Sequence, residues 1–190
     1  LAVWASPALA IVAGHPMVFI GGYDQTLHAL DLAEKTAIWR KITNAEIATA
    51  PTVGKVDGVD VVFWGSADRT VYAYVAFNGK RLWTKELIPP STTLDKVHLS
   101  SPFLTEDALY ISCFAYDKSL PRNQQRGRLF CLDATTGDIR WKLDVTSGFL
   151  SSPVGFQLNG KQHIAVAARR GLLQCFDVSG QVPKRVWSFQ

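Results

Sequence analysis

Sustained helical periodicity is missing from these 190 residues. No window repeats apolar residues at the i, i+3, i+4, i+7 spacing of an amphipathic helix, which excludes a helical bundle and a doubly wound α/β fold. Histidine is scarce: His15, His28, His98 and His163 stand alone, without HxH or HExxH spacing. Cysteine is scarce as well. Cys113, Cys131 and Cys175 form neither a CxxC nor an adjacent pair, and small buried apolar side chains are the expectation for all three. There is no GxSxG elbow and no phosphate-cradling glycine loop. The formal charge of +4 and pI near 9.0 are only mildly basic. Arg122, Arg126 and Arg128 cluster, but only Tyr116 and Phe130 accompany them as aromatics, so no nucleic-acid partner is expected. The apolar first twenty residues are broken by Pro7, Gly14 and Pro16 and follow no basic segment, so no transmembrane segment is expected either. The chain begins with Leu1 rather than methionine, which reads as a piece of a longer protein.

What is present is a repeat. "ALDLAEKTAIW" ends at Trp39, "AYVAFNGKRLW" at Trp83, "CLDATTGDIRW" at Trp141 and "CFDVSGQVPKRVW" at Trp187. In the first three, the tryptophan lies eight residues after a column holding Asp31, Val75 and Asp133. Asp177 and Trp187 are ten apart, so the fourth unit carries two extra residues. A second anchor, "ASPAL", "TAPTV", "SSPFL" and "SSPVG", places prolines at 7, 51, 102 and 153. Between the anchors run "VFIGG", "VFWGS", "YISCF" and "IAVAA". In "TLHALDL" and "TVYAYVA" apolar residues alternate with period two, as half-buried strands require. Each unit therefore reads as four short strands, near 6–12, 16–22, 26–31 and 36–41 in the first. All-β units of this length with four strands each point to β-propeller blades. The expected architecture is all-β, one domain over 1–190, with blades near 1–44, 45–95, 96–146 and 147–190. Four blades imply an open arc, a closed small ring or part of a larger ring.

The motif has a physical logic. The aspartate closes the third strand, where its carboxylate can accept from turn N–H groups. Gly79 and Gly137, four residues on, suit a left-handed turn. The tryptophan then wedges against the next blade, burying on the order of 150–250 Å². Lys35 in the glycine column, Val75 in the aspartate column and Gly180 one place early in the fourth unit are departures. "GGYDQT" (21–26) and "GSADRT" (65–70) are hairpin turns in register with each other.

The pattern A-L-D-x-x-x-G-x-x-x-W with a preceding S-P strand resembles the pyrroloquinoline-quinone-like propeller repeat, and "CLDATTGDIRW" is its best copy here. The resemblance spans nearly the whole chain, and it implies that the four blades are part of a larger seven- or eight-bladed ring. It implies either a non-catalytic interaction, scaffold or sensor module without a cofactor, or a fragment of a quinone-dependent dehydrogenase that binds the quinone and calcium. The adjacent cysteine pair typical of those dehydrogenases is missing, which favours the non-catalytic reading, and no residue here matches a quinone or calcium ligand. The resemblance also implies a bacterial protein in an extracytoplasmic compartment, periplasmic or secreted.

Loop lengths point to a candidate face. The spacing from the end of the second strand to the aspartate column is nine in three units (22–31, 66–75, 168–177) and twenty in the third (113–133). Trp83 to Pro102 is also long, at nineteen against twelve elsewhere. Because strand direction alternates within a blade, both insertions, 84–100 and 115–128, emerge on one face. Loops carry function more often than scaffolds do. The expected partner-binding residues are Asp95, Lys96, His98, Tyr116, Asp117, Lys118, Arg122, Asn123, Gln125 and Arg126, with no catalytic or metal residues. The expected partner is a protein, the remaining blades of the parent chain, or a second copy completing a ring.

Overall fold

The computed structural model describes residues 3–91, 94–121, 125, 127–145, 151–168 and 171–190. It forms four antiparallel sheets. The first holds β1 (Ala8–Val12), β2 (His15–Gly21), β3 (Thr26–Asp31) and β4 (Thr36–Ile42) in that order. The second holds β5 (Thr52–Val56), β6 (Val59–Gly65), β7 (Thr70–Val75) and β8 (Arg81–Glu86). The third is built from β9 (Leu94–Leu99), β10 (Phe103–Leu104), β11 (Ala108–Asp117), β12 (Gly127–Asp133) and β13 (Ile139–Val145). The fourth contains β14 (Val154–Leu158), β15 (Lys161–Ala167), β16 (Leu173–Asp177) and β17 (Lys184–Phe189). This meander of short strands, repeated sheet by sheet, is the blade of a β-propeller.

The chain divides into two compact units. One comprises Leu1–Pro89 with the turn Ala134–Asp138 and carries the first two sheets. Its core runs through Met17, Phe19, Leu27, Ile47, Val62 and Trp64, all fully buried. The other comprises Pro90–Asp133 and Ile139–Gln190 and carries the last two sheets, around Tyr110, Leu129, Ile164, Val166 and Phe176. Each such apolar side chain contributes about 1.5–3 kcal/mol when fully removed from water. The middle strands are the most buried because they have neighbours on both edges. β17 is exposed along its whole length.

The third sheet corrects the expectation of four strands per unit. The insertions read as loops at 84–100 and 115–128 are in part strand. β11 runs on to Asp117, and β9 adds a fifth strand to it, pairing Leu99 with Cys113, His98 with Phe114 and Val97 with Ala115. The alternating "LDKVHL" supplies the period-two pattern that pairing needs. The edge left by the elongated hairpin offers it a free ladder of N–H and C=O groups.

In every sheet the register slips by one residue just before the repeat tryptophan. Ala29 pairs with Trp39 but Leu30 with Ala37; the same break falls at Cys131/Leu132 and Cys175/Phe176, and at Ala73/Tyr74. The bulged residues are Ile38, Leu82, Arg140 and Val186. A bulge turns the strand locally.

Candidate functional site

The two insertions of the third sheet build one surface. Along its exposed margin Lys118 Nζ lies 3.4 Å from an Asp95 carboxylate oxygen, linking the hairpin to β9. His98 is exposed on β9, and Tyr116 is half-buried near the end of β11. Asp117 caps the turn: its Oδ1 accepts from the Ser119 N–H at 2.9 Å and from the Ser119 hydroxyl at 2.6 Å. Gln125, expected on the face, is only 2% exposed. Its Oε1 accepts from the Asp117 N–H at 2.7 Å, and its Nε2 donates to the carbonyls of Asp117 and Leu120, each at 2.8 Å. It therefore holds the hairpin from within. Lys96 lies on β9. Arg122, Asn123 and Arg126 lie outside the described residues. Deeper in the same hairpin, Arg128 donates to the Asp144 carboxylate and stands over the Phe130 ring.

The repeat tryptophans fill sockets. In the first unit, the Trp39 indole N–H donates to the Ala76 carbonyl at 2.9 Å, and that of Trp83 to the Ala134 carbonyl at 3.0 Å. Each ring also tilts against an aromatic across the sheet, Phe19 at 5.9 Å and Phe63 at 5.8 Å. Gly79 and Gly137 cover the rings at φ +67° and +77°. A Cβ there would lie 2.8 Å from Trp39 or 2.6 Å from Trp83.

In the second unit Trp141 has the same support, Tyr110 at 5.9 Å, but a different surrounding. It lines a cleft of about 1010 Å³ together with Glu106, Asp107, Arg140, Gln162 and the turn around Gly180. The Arg140 guanidinium bridges Asp107 at 2.7 Å and Asp133 at 2.8 Å. Those two carboxylates push its pKa further up.

A family model described as outer membrane protein assembly factor BamB matches residues 4–114 and again 114–190. The chain belongs to this family. A BamB from Nitrosomonas eutropha is 24% identical over 184 residues, which cover 93% of this chain and 40% of that protein. One from Bordetella pertussis is 28% identical over 148 residues, covering 74% and 34%. The chain thus spans well under half the length of the curated relatives it matches. Among solved structures, a quinohemoprotein alcohol dehydrogenase from Comamonas testosteroni superposes with a TM-score of 0.71 at 14% identity, over all of this chain and 35% of that one. That likeness carries the propeller fold and nothing about chemistry.

The titratable residues of this BamB-family chain serve strands and turns. His15 Nδ1 lies 3.0 Å from Asp31, and His28 Nε2 lies 3.3 Å from Asp24. His163 is buried, stacked on Phe156 and bonded through Nδ1 to the Lys161 carbonyl. Asp31 closes its turn as expected, accepting from the N–H groups of Glu34 and Ala33; the first of these does most to hold its carboxyl below the usual range. The Ser179 N–H does the same for Asp177. The cysteines are free and buried, and desolvation pushes the Cys113 thiol up to about 12. Among the described residues no three or more His, Cys, Asp or Glu gather as metal ligands, and no helix is long and apolar enough to cross a membrane.

One set of working residues was missed from the sequence. Two places before the repeat proline stand Thr49, Ser100 and Ser151. Their hydroxyls accept from the N–H groups of Gly65, Ser112 and Ala167, at 3.2, 3.0 and 2.8 Å, at the last residue of β6 and β15 and midway along the elongated β11. The signal was the S/T-x-P spacing in "TAP" and "SSP", which also explains why that anchor keeps register with the small-residue column. The first unit has Ala5 at this place.

Proposed function

We propose that this chain forms blades of a non-catalytic assembly scaffold acting outside the cytoplasm, and that it holds a protein partner on the surface built by β9 and the outer end of the β11–β12 hairpin. The observation that carries this reading is the pairing of β9 with β11. Two insertions far apart in sequence combine into one ordered platform, cross-linked by Lys118–Asp95 and braced by buried Gln125. Ordering a platform costs conformational entropy that an idle insertion need not spend. Two of the relatives are named as outer membrane protein assembly factors, which supports a protein partner and a bacterial envelope location.

The remaining blades of a parent chain are a second partner in this reading. On the fourth sheet Val154, Phe156, Leu158, Val186, Trp187 and Phe189 are all more than 40% exposed. They lie on its two outer strands, β14 and β17, and exposed apolar side chains in such number are a mark of an interface. A following blade, or a second copy, would cover them.

The platform is tested by placing a photo-crosslinking residue at His98 or Lys118 in the full-length parent protein and irradiating cells. A specific adduct at both positions, absent from the same probe at Lys55 on the second sheet, is the expected result. Equal or no capture at all three positions would remove the platform from the interface. Sedimentation of the 190-residue chain alone tests the covered-face idea: concentration-dependent association is expected, and a monomer at all concentrations would count against it.

A further inference from the structure

Trp39 and Trp83 define what this fold places over a repeat tryptophan: the main chain of an A-x-x-G turn. An alanine carbonyl accepts the indole N–H, and a left-handed glycine lies flat on the ring. Trp141 is presented in the same way. It pairs across the strand with Cys131, follows the bulged Arg140 and tilts on Tyr110 at the distance its sisters keep from Phe19 and Phe63. The cover is missing. The turn after β16 is two residues longer, contains Pro183 and has no residue in the left-handed region. A Cβ on Gly180 would meet nothing nearer than 3.9 Å, and that atom is the Val182 carbonyl oxygen rather than the indole. Among the described residues no group accepts the Trp141 indole N–H, and the ring opens on the 1010 Å³ cleft. A buried or half-buried indole normally finds an acceptor.

We propose that this cleft binds a peptide turn containing a left-handed glycine. The glycine lies on the Trp141 ring, and the carbonyl three residues before it accepts the indole N–H. The two built-in sockets supply the template, so the ligand's chemistry follows from the chain itself. Charge narrows it further. The charged side chains that line the cleft are Glu106 and Asp107 against Arg140, with Asp133 bonded to the Arg140 guanidinium at 2.8 Å, on a chain whose total is +4. The segment is therefore basic beside its glycine. Gln162 and Ser179 line the same cleft, where the Gln162 amide donates to the Phe156 and His163 carbonyls and the Ser179 hydroxyl oxygen accepts from the Gln162 N–H. This site is separate from the β9 platform and stands without it.

The probe is already written in the sequence. Residues 76–81, AFNGKR, form the turn that covers Trp39. The acetylated and amidated hexapeptide is titrated into the 190-residue chain while the six indole N–H resonances are followed, Trp141 being assigned through W141F. Saturable movement of the Trp141 signal is expected. AFNAKR should bind at least about tenfold more weakly, because a Cβ has no room on the ring. AFNGQQ should also be weaker, with the loss shrinking at high salt. Since the glycine comparison changes only the ligand, it holds even if W141F folds poorly; Q162A then provides a second assignment by proximity. A Trp141 signal that stays still, or that moves equally with AFNGKR and AFNAKR, overturns the proposal. Movement confined to Trp187 assigns the binding to the exposed fourth sheet instead.

Discussion

Trp83 and Trp141 occupy the same register position in consecutive units of the repeat, and each leans on an aromatic residue at nearly the same distance. Trp83 is 8% exposed and hydrogen-bonded to the Ala134 carbonyl under Gly137. Trp141 faces a cleft and donates to no described group. The difference lies in the turn that follows. A-T-T-G closes tightly with glycine at φ +77°, whereas V-S-G-Q-V-P, two residues longer, does not return to the ring. An unchanged anchor can therefore be structural in one place and available in another.

Truncating the ring probes this most strongly. Trp83→Ala should destabilise the first unit by about 3–5 kcal/mol, and Trp141→Ala should cost the second about half as much, since part of that ring is already in water. Urea denaturation of both variants checks it; equal losses would mean that the cleft is closed in solution. Next in size is the glycine pair. Gly137→Ala should cost about 1–3 kcal/mol, because the new Cβ meets Trp83 and the backbone is left-handed. Gly180→Ala should fall within about 0.5 kcal/mol of wild type, and a large loss there would show that the fourth turn does contact something rigid. Smallest is the first unit's own irregularity. Lys35 holds φ +56° in the glycine column, so Lys35→Gly should stabilise by about 0.5 kcal/mol despite adding freedom to the unfolded chain. A lower melting temperature would mean that the lysine side chain contributes a contact worth more than the strain.

Much of the fold was legible because its signals are local. The strands of the first unit fall within two residues of their expected ends at Val12, Gly21, Asp31 and Ile42. The aspartate and glycine columns mark turns whose chemistry depends on only a few consecutive residues. The platform was half legible. Spacing put both insertions on one face, yet "LDKVHL" and "AYD" each looked like loop, since a short strand is recognised only when its partner is known. Gln125 illustrates the limit: a glutamine in a polar insertion reads as surface, and only the closed hairpin makes it a buried clamp. The [ST]-x-P hydroxyls were missed for a related reason, because their acceptor role becomes visible only when the second strand lies opposite them.

The sequence by itself determined the repeat, the blade and the place of each tryptophan, since period-two alternation and turn chemistry act over neighbouring residues. Tertiary structure decided which tryptophan is covered, where the extra strand pairs, and which polar side chains face inward. Those outcomes depend on contacts that cross from one strand or turn to another, such as Trp39 with Ala76 and Trp83 with Ala134, 37 and 51 positions apart. Their geometry changes when a turn gains two residues, even though the anchors on either side remain the same.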